Sequence, residues 1–128
     1  MYVSKAANVT TQRVDRPIFT GEVHQGQHIT AEHAQQHRIG LVSFRPGGRT
    51  KWHTHPWEQV LVIVDGKGIV ADESAEYVVV PGDVVAIPTG EKHWHGATET
   101  TGMTHVAINQ EGEAVVLEAV DKIKTQNP

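Results

Sequence analysis

Two H-x-H pairs constrain this chain more than any other feature: His53 with His55, then His93 with His95, and His105 shortly after. Alternate residues on a strand project to the same face, so each pair aims two imidazoles in one direction. Imidazole is the commonest side-chain metal ligand, and pairs about forty residues apart need only strand pairing to converge. Five of the nine histidines fall in this pattern. The chain is therefore expected to build a sheet with a metal site on one face.

The rest of the sequence agrees with that expectation. From Pro17 onward, runs rich in Val and Ile alternate with turn signals at Pro46-Gly47-Gly48, Asp65-Gly66, Pro81-Gly82 and Thr89-Gly90. The expected strands are Ile18 to His24, Arg38 to Arg45, Glu58 to Val64, Gly68 to Asp72, Ala75 to Val80, Val84 to Pro88, Met103 to Asn109 and Ala114 to Ala119. A short helix or turn is expected only near Val120 to Thr125. Many short strands with turn signals predict an all-β sandwich or barrel. At 128 residues the chain matches one domain, expected over 1–128 with its core at about 38–109.

Composition narrows the partners. No apolar run reaches the eighteen or more residues of a membrane span. Without a Lys/Arg cluster, and at a net charge of -4, neither nucleic acid nor an anionic membrane is the expected partner; a small molecule is. Cysteine is absent, which removes disulfides, thiolate nucleophiles and Cys-based zinc sites together. The segment Met1-Tyr-Val-Ser-Lys-Ala-Ala lacks the apolar core of a secretory signal, so a cytoplasmic location is expected.

Other aromatic and imidazole groups receive plainer readings. His24, His28, His33 and His37 lie in the polar stretch Glu22 to His37, without helical periodicity, and are read as solvated loop or edge-strand residues. Trp52, Trp57 and Trp94 flank the histidine clusters and are read as packing groups. On a regular strand, Trp94 points away from its two histidine neighbours.

Order and spacing carry a resemblance. Gly47, five residues, His53-x-His55, three residues, Gln59, six residues and Gly66 resemble the first cupin motif. Gly82, five residues, Pro88-x-Gly90, two residues and His93 resemble the second. The strings Arg49-Thr50-x-Trp52-His-Thr-His-Pro56, Gly90-Glu-Lys-His-Trp-His-Gly-Ala97 and Met103-Thr-His105, with Phe19-Thr20-Gly21, are similar to the bacterial manganese-dependent hydroxynitrile lyases among cupins. The family's usual Glu is replaced by Gln59 and its usual Asn by Ala97, while Asn109 stands in place of a pocket glutamine and Trp57 and Lys51 replace smaller residues.

The resemblance implies a double-stranded β-helix, or small jelly-roll barrel, with one divalent metal in its mouth held by His53, His55, Gln59 and His93. Manganese is the expected metal, with iron, nickel or zinc compatible. Strand parity favours Gln59 over Glu58, since positions 53, 55, 57 and 59 share a face in an extended run. His95, His105 and Thr50 are carried over as the catalytic and pocket residues. Three imidazoles and an amide leave the metal its full positive charge, which suits Lewis-acid chemistry better than oxygen activation. The expected activity is cleavage or synthesis of a cyanohydrin; an isomerase or dehydratase of a sugar acid or hydroxy-ketone, a dioxygenase and a non-catalytic ligand-binding barrel are the competing readings. Pairing of barrels, on family analogy, implies a homodimer or larger homo-oligomer.

Overall fold

The structure, a computed structural model, describes residues 1–125. Among these the helical content is one 3₁₀ turn, Ala6–Asn8, and the rest is strand and loop. The strands are β1 (Gln12–Val14), β2 (Phe19–Thr20), β3 (Val23–Ile29), β4 (Arg38–Phe44), β5 (Arg49–Thr50), β6 (His53–Thr54), β7 (Gln59–Gly66), β8 (Gly68–Asp72), β9 (Glu76–Val79), β10 (Val84–Ile87), β11 (His93–Ala97), β12 (Met103–Asn109) and β13 (Val115–Val116). One antiparallel sheet runs β1-β3-β4-β12-β7-β10. The other runs β13-β6-β11-β5-β2, with β8 on the far side of β11 and β9 beyond it. Facing each other, they form the expected jelly-roll barrel.

Period-two alternation fills the barrel in a graded way. On β12, Met103, His105 and Ala107 are buried in turn, and on β7 so are Gln59, Leu61 and Ile63. On β4, Val42 and Phe44 point inward. At one end these positions are apolar: Val23, Phe44, Leu61, Ile63, Val70, Val79, Ile87 and Met103 form a single cluster. Each such large side chain contributes roughly 1.5–3 kcal/mol by leaving water. Toward the other end the same rows carry Gln59, His93, His95 and His105.

The outer face of the second sheet is covered as well. Ile69, Ala71 and Trp94 pack there with Val120 and Ile123, and Trp52 borders the cluster. Trp94 thus points away from the histidines beside it, as strand parity predicts. The expected helix at Val120 to Thr125 does not form. That stretch crosses the sheet as an irregular strap instead: Arg49 Nη2 donates to Val120 O, Trp52 N to Glu118 O, and the Lys124 and Thr125 amides to Glu76. Its backbone groups are taken by the sheet, so a helical turn would forfeit those bonds.

Two other expectations need correction. The run Ile18 to His24 is not one strand, because Gly21, at φ 80°, breaks it into β2 and β3, which join different sheets. A Cβ on Gly21 would lie 2.9 Å from Gly48 Cα, so both the turn and the close approach require glycine. The polar stretch beyond it is strand as far as Ile29, with His24 and His28 half-buried on β3 and His37 exposed. A polar strand of this kind lacks the apolar alternation that marks a strand in sequence.

Candidate metal centre

Three histidines converge in the barrel mouth, each with its Nδ1 at a backbone carbonyl. His53 sits on β6 opposite His93 of β11, the two residues being paired across the sheet, and His55 follows β6. His53 Nδ1 donates to Lys51 O at 2.9 Å, His55 Nδ1 to Trp57 O at 3.0 Å and His93 Nδ1 to Glu91 O at 2.8 Å. A carbonyl oxygen only accepts, so in neutral His53 and His93 the proton is on Nδ1 and the Nε2 lone pair is bare. The potential ligand atoms of these three rings lie within 4.8 Å of one another. Ligand atoms about 2.1 Å from one ion span up to about 4.2 Å, so small ring movements suffice.

The amide of Gln59 completes the arrangement. Gln59 is 6% exposed at the start of β7, whereas Glu58 is exposed. Gln59 Nε2 donates to Asn109 Oδ1 at 2.8 Å, and the indole Nε1 of Trp57 donates to the same oxygen at 2.9 Å. This leaves Gln59 Oε1 turned to His55 Nε2, at 3.1 Å. A neutral His55 has one proton for two acceptors, Trp57 O and Gln59 Oε1. With the proton on Nδ1, an oxygen and a nitrogen lone pair face each other with nothing to share. Nε2 of His93 is likewise buried without a hydrogen-bond partner among the described residues. Bare lone pairs buried together are costly unless a cation sits among them, and this donor set of imidazole nitrogens and one amide oxygen fits a divalent metal.

Beside this group lies a second imidazole pair. His95 stacks alongside His93 with ring centroids 5.6 Å apart, and its Nδ1 is 3.0 Å from His105 Nε2. Although β11 and β12 are consecutive in the chain, they do not pair as a hairpin: β12 crosses to the facing sheet, where His105 pairs with Val42 and Ile63. Contact with His95 is made through the barrel interior. The intervening Thr98–Thr101 turn, tied by hydrogen bonds from the Thr100 and Thr101 amides to Thr98 Oγ1, carries the chain across. Thr50, 2% exposed on β5, accepts the His95 amide at 3.1 Å, leaving its own hydroxyl proton free to donate. His95 Nε2 and His105 Nδ1 are buried without hydrogen-bond partners among the described residues.

A cavity of about 720 Å³ opens onto both imidazole groups, within the usual range for small-molecule sites. His53, Gln59, His95 and His105 line it on one side, and Ile18, Phe19, Leu41, Val42, Ala107 and Val116 supply apolar wall. Sequence reasoning brought the imidazoles and Gln59 to this face. It missed the link between Trp57 and Asn109, whose sequence signal is that both depart from the residue types usual in the resembled family.

Burial sets the electrostatics. Desolvation lowers His53 from 6.5 to about 4, partly opposed by its bond to Lys51 O, and lowers His93 to about 3, with His53 adding to the effect. Desolvation also takes His105 to about 4 and His95 well below 6.5. All four are therefore neutral in the folded protein at pH 7, as metal ligation and proton acceptance require. In the unfolded chain they take up protons below about pH 6.5. The folded state does so only near 4 and below, so stability is full above about 6.5 and declines as the pH falls toward 4. Each imidazole contributes up to about 1.4 kcal/mol per pH unit of that slope. Calorimetry of the metal-free protein should show the melting temperature falling between pH 6.5 and 5, above the ordinary carboxylate range. A flat profile there would contradict the burial of these rings.

A family model described as a Cupin domain matches residues 40–109. Over 77 residues the chain is 52% identical to a protein from Granulicella tundricola named (R)-mandelonitrile lyase, the match covering 58% of this chain and 59% of that one. The chain thus matches less than two thirds of that relative's length. Among solved structures, a cupin-like protein from Thermotoga maritima superposes with a TM-score of 0.80 at 33% identity, covering 86% of each chain. The polyketide cyclase RemF from Streptomyces resistomycificus superposes at 0.79 with 19% identity, covering 97% of this chain and 88% of that one, a likeness of fold alone.

Proposed function

The chain belongs to the cupin domain family, and on that premise we propose that it is a metal-dependent lyase that cleaves a cyanohydrin to an aldehyde and hydrogen cyanide. The observation that carries this reading is the pairing of a neutral donor set, His53, His55, His93 and Gln59, with a second buried imidazole pair, His95 and His105, on one cavity. The name of the Granulicella tundricola relative supports the substrate class. Manganese is the proposed metal, held by those four residues. When bound, such a cation supplies Lewis acidity, drawing electron density from a substrate hydroxyl and making its proton easier to remove.

The remaining work falls to the chain. When the proton between His95 and His105 sits on His95 Nδ1, His95 Nε2 presents a lone pair and accepts the hydroxyl proton. The carbon–carbon bond to the nitrile breaks as the carbonyl forms, and the electron pair leaves with cyanide. The proton taken by His95 is then returned to cyanide, giving hydrogen cyanide and a neutral pair. Thr50 can donate its hydroxyl hydrogen to a polar atom of the substrate, and it anchors the His95 backbone. The apolar wall from Phe19 to Ala107 holds the substrate's side chain and keeps water from competing for its hydroxyl. The test is steady cyanide release from mandelonitrile by protein loaded with Mn(II). Inactivity at full metal occupancy would reject the proposed reaction.

A further inference from the structure

We propose that Trp57 and Asn109 form an orienting relay that turns the amide oxygen, rather than the amide nitrogen, of Gln59 toward the metal position; this rests on Gln59 being a ligand. An amide side chain is nearly symmetric in shape, so packing alone does not choose which end faces the histidines. Hydrogen-bond direction does. An indole N–H donates and never accepts. Trp57 Nε1 lies 2.9 Å from the Asn109 side chain, which fixes that atom as Oδ1. Oδ1 in turn admits only a donor from Gln59, at 2.8 Å, so Gln59 Nε2 must face Asn109 and Oε1 must face His55.

Trp57 acts at both ends of this circuit. Its backbone carbonyl lies 3.0 Å from His55 Nδ1, and a ring proton held there bares the His55 Nε2 lone pair. Its indole, through Asn109, bares the Gln59 oxygen. One residue thus aims both lone pairs at the same point. The indole itself is clamped: it stacks on His55 at 4.9 Å and 11°, and on its outer side lies Gly112, at φ 141°, where a Cβ would come within 2.8 Å of Cζ3. Trp57 and Asn109 are positioning residues; neither needs to touch substrate.

The test measures Mn(II) affinity from the free-ion electron paramagnetic resonance signal. Trp57→Phe keeps the ring stack and the backbone carbonyl but removes the N–H, so Asn109 can turn its NH2 to Gln59 and Gln59 can turn its own NH2 to the metal. Affinity should fall about 10–100-fold, the usual cost of losing a partner that orients a ligand. Adding Asn109→Asp should restore it, because a carboxylate offers only acceptors and again compels the Gln59 nitrogen to face it. The restoration must exceed whatever Asn109→Asp does in the Trp57-containing protein, which measures the added charge alone. Unchanged affinity in Trp57→Phe, or a loss that Asn109→Asp does not repair, overturns the relay. Gln59→Leu separates the premise: if it binds Mn(II) as tightly as the parent, Gln59 is no ligand and the relay falls with it. If Gln59→Leu weakens binding and Trp57→Phe does not, only the relay fails.

A measurement on the unaltered, metal-free protein stands independently of any variant's folding. The indole proton and one Gln59 amide proton both point at one oxygen, each about 2 Å away, so they lie within about 4 Å of each other. A nuclear Overhauser contact between Trp57 Hε1 and a Gln59 side-chain amide proton is expected. Its absence, with both resonances assigned, contradicts the relay.

Discussion

Replacing His93 with alanine should leave the protein almost free of metal and almost without cyanide release. His93 lies 1% exposed, and its Nε2 has no hydrogen-bond partner among the described residues. Removing an orienting partner of a ligand costs about 10–100-fold in affinity, and removing the ligand itself should cost more. The ring belongs to neither apolar cluster of the barrel, so the fold should survive. Elemental analysis after dialysis against Mn(II) checks the first part, and circular dichroism the second. A stoichiometric metal content would refute the proposed centre. His105→Ala offers the contrast: its ring lies outside the three-histidine group, so metal should stay while turnover is lost.

Gln59→Glu should keep the metal and lose the lyase reaction. The added carboxylate would meet Asn109 Oδ1, now an acceptor facing an acceptor, forfeiting a hydrogen bond worth about 0.5–1.5 kcal/mol. Attraction between a carboxylate and a divalent ion at coordination distance exceeds that loss even at an effective dielectric near 20. Affinity therefore holds or rises. The partly neutralised ion polarises a hydroxyl less, and its higher oxidation state becomes easier to reach. Cyanide release should drop steeply while manganese oxidises faster in air, visible as decay of the Mn(II) resonance signal. Unaltered rate and unaltered oxidation together would show that the amide matters only for shape.

What the sequence conveyed was what strand parity conveys. His53 with His55, and His93 with His95, share faces because alternation is a local rule, and parity likewise set Gln59 inward and Glu58 outward. The cupin motifs added the barrel. Long-range placement was less accessible: nothing local says that β12 leaves the sheet holding β11, so the meeting of His95 with His105 through the interior, rather than along a hairpin, appears only in three dimensions. The strap over Trp94 was hidden for a related reason. Val120 and Ile123 have a spacing compatible with a helical turn, and the bonds that hold the strap irregular come from Arg49 and Glu76, distant in sequence. The single strand expected from Ile18 to His24 failed at Gly21, where a positive φ serves a neighbouring backbone that sequence does not display.

The stacking of Trp57 on His55 has an optical consequence. An indole 4.9 Å from the His55 ring of the proposed centre lies within reach of quenching by a paramagnetic ion there, while Trp52 and Trp94 pack on the outer face of the second sheet with the strap. If the proposed centre holds the metal, the chain carries an unlabelled gauge of its own loading. Filling the site with Mn(II) should dim Trp57 more than Trp52 and Trp94, whereas diamagnetic Zn(II) should change the signal only through the local field. Steady-state fluorescence during a titration then distinguishes not just how much metal has entered, but which electronic kind.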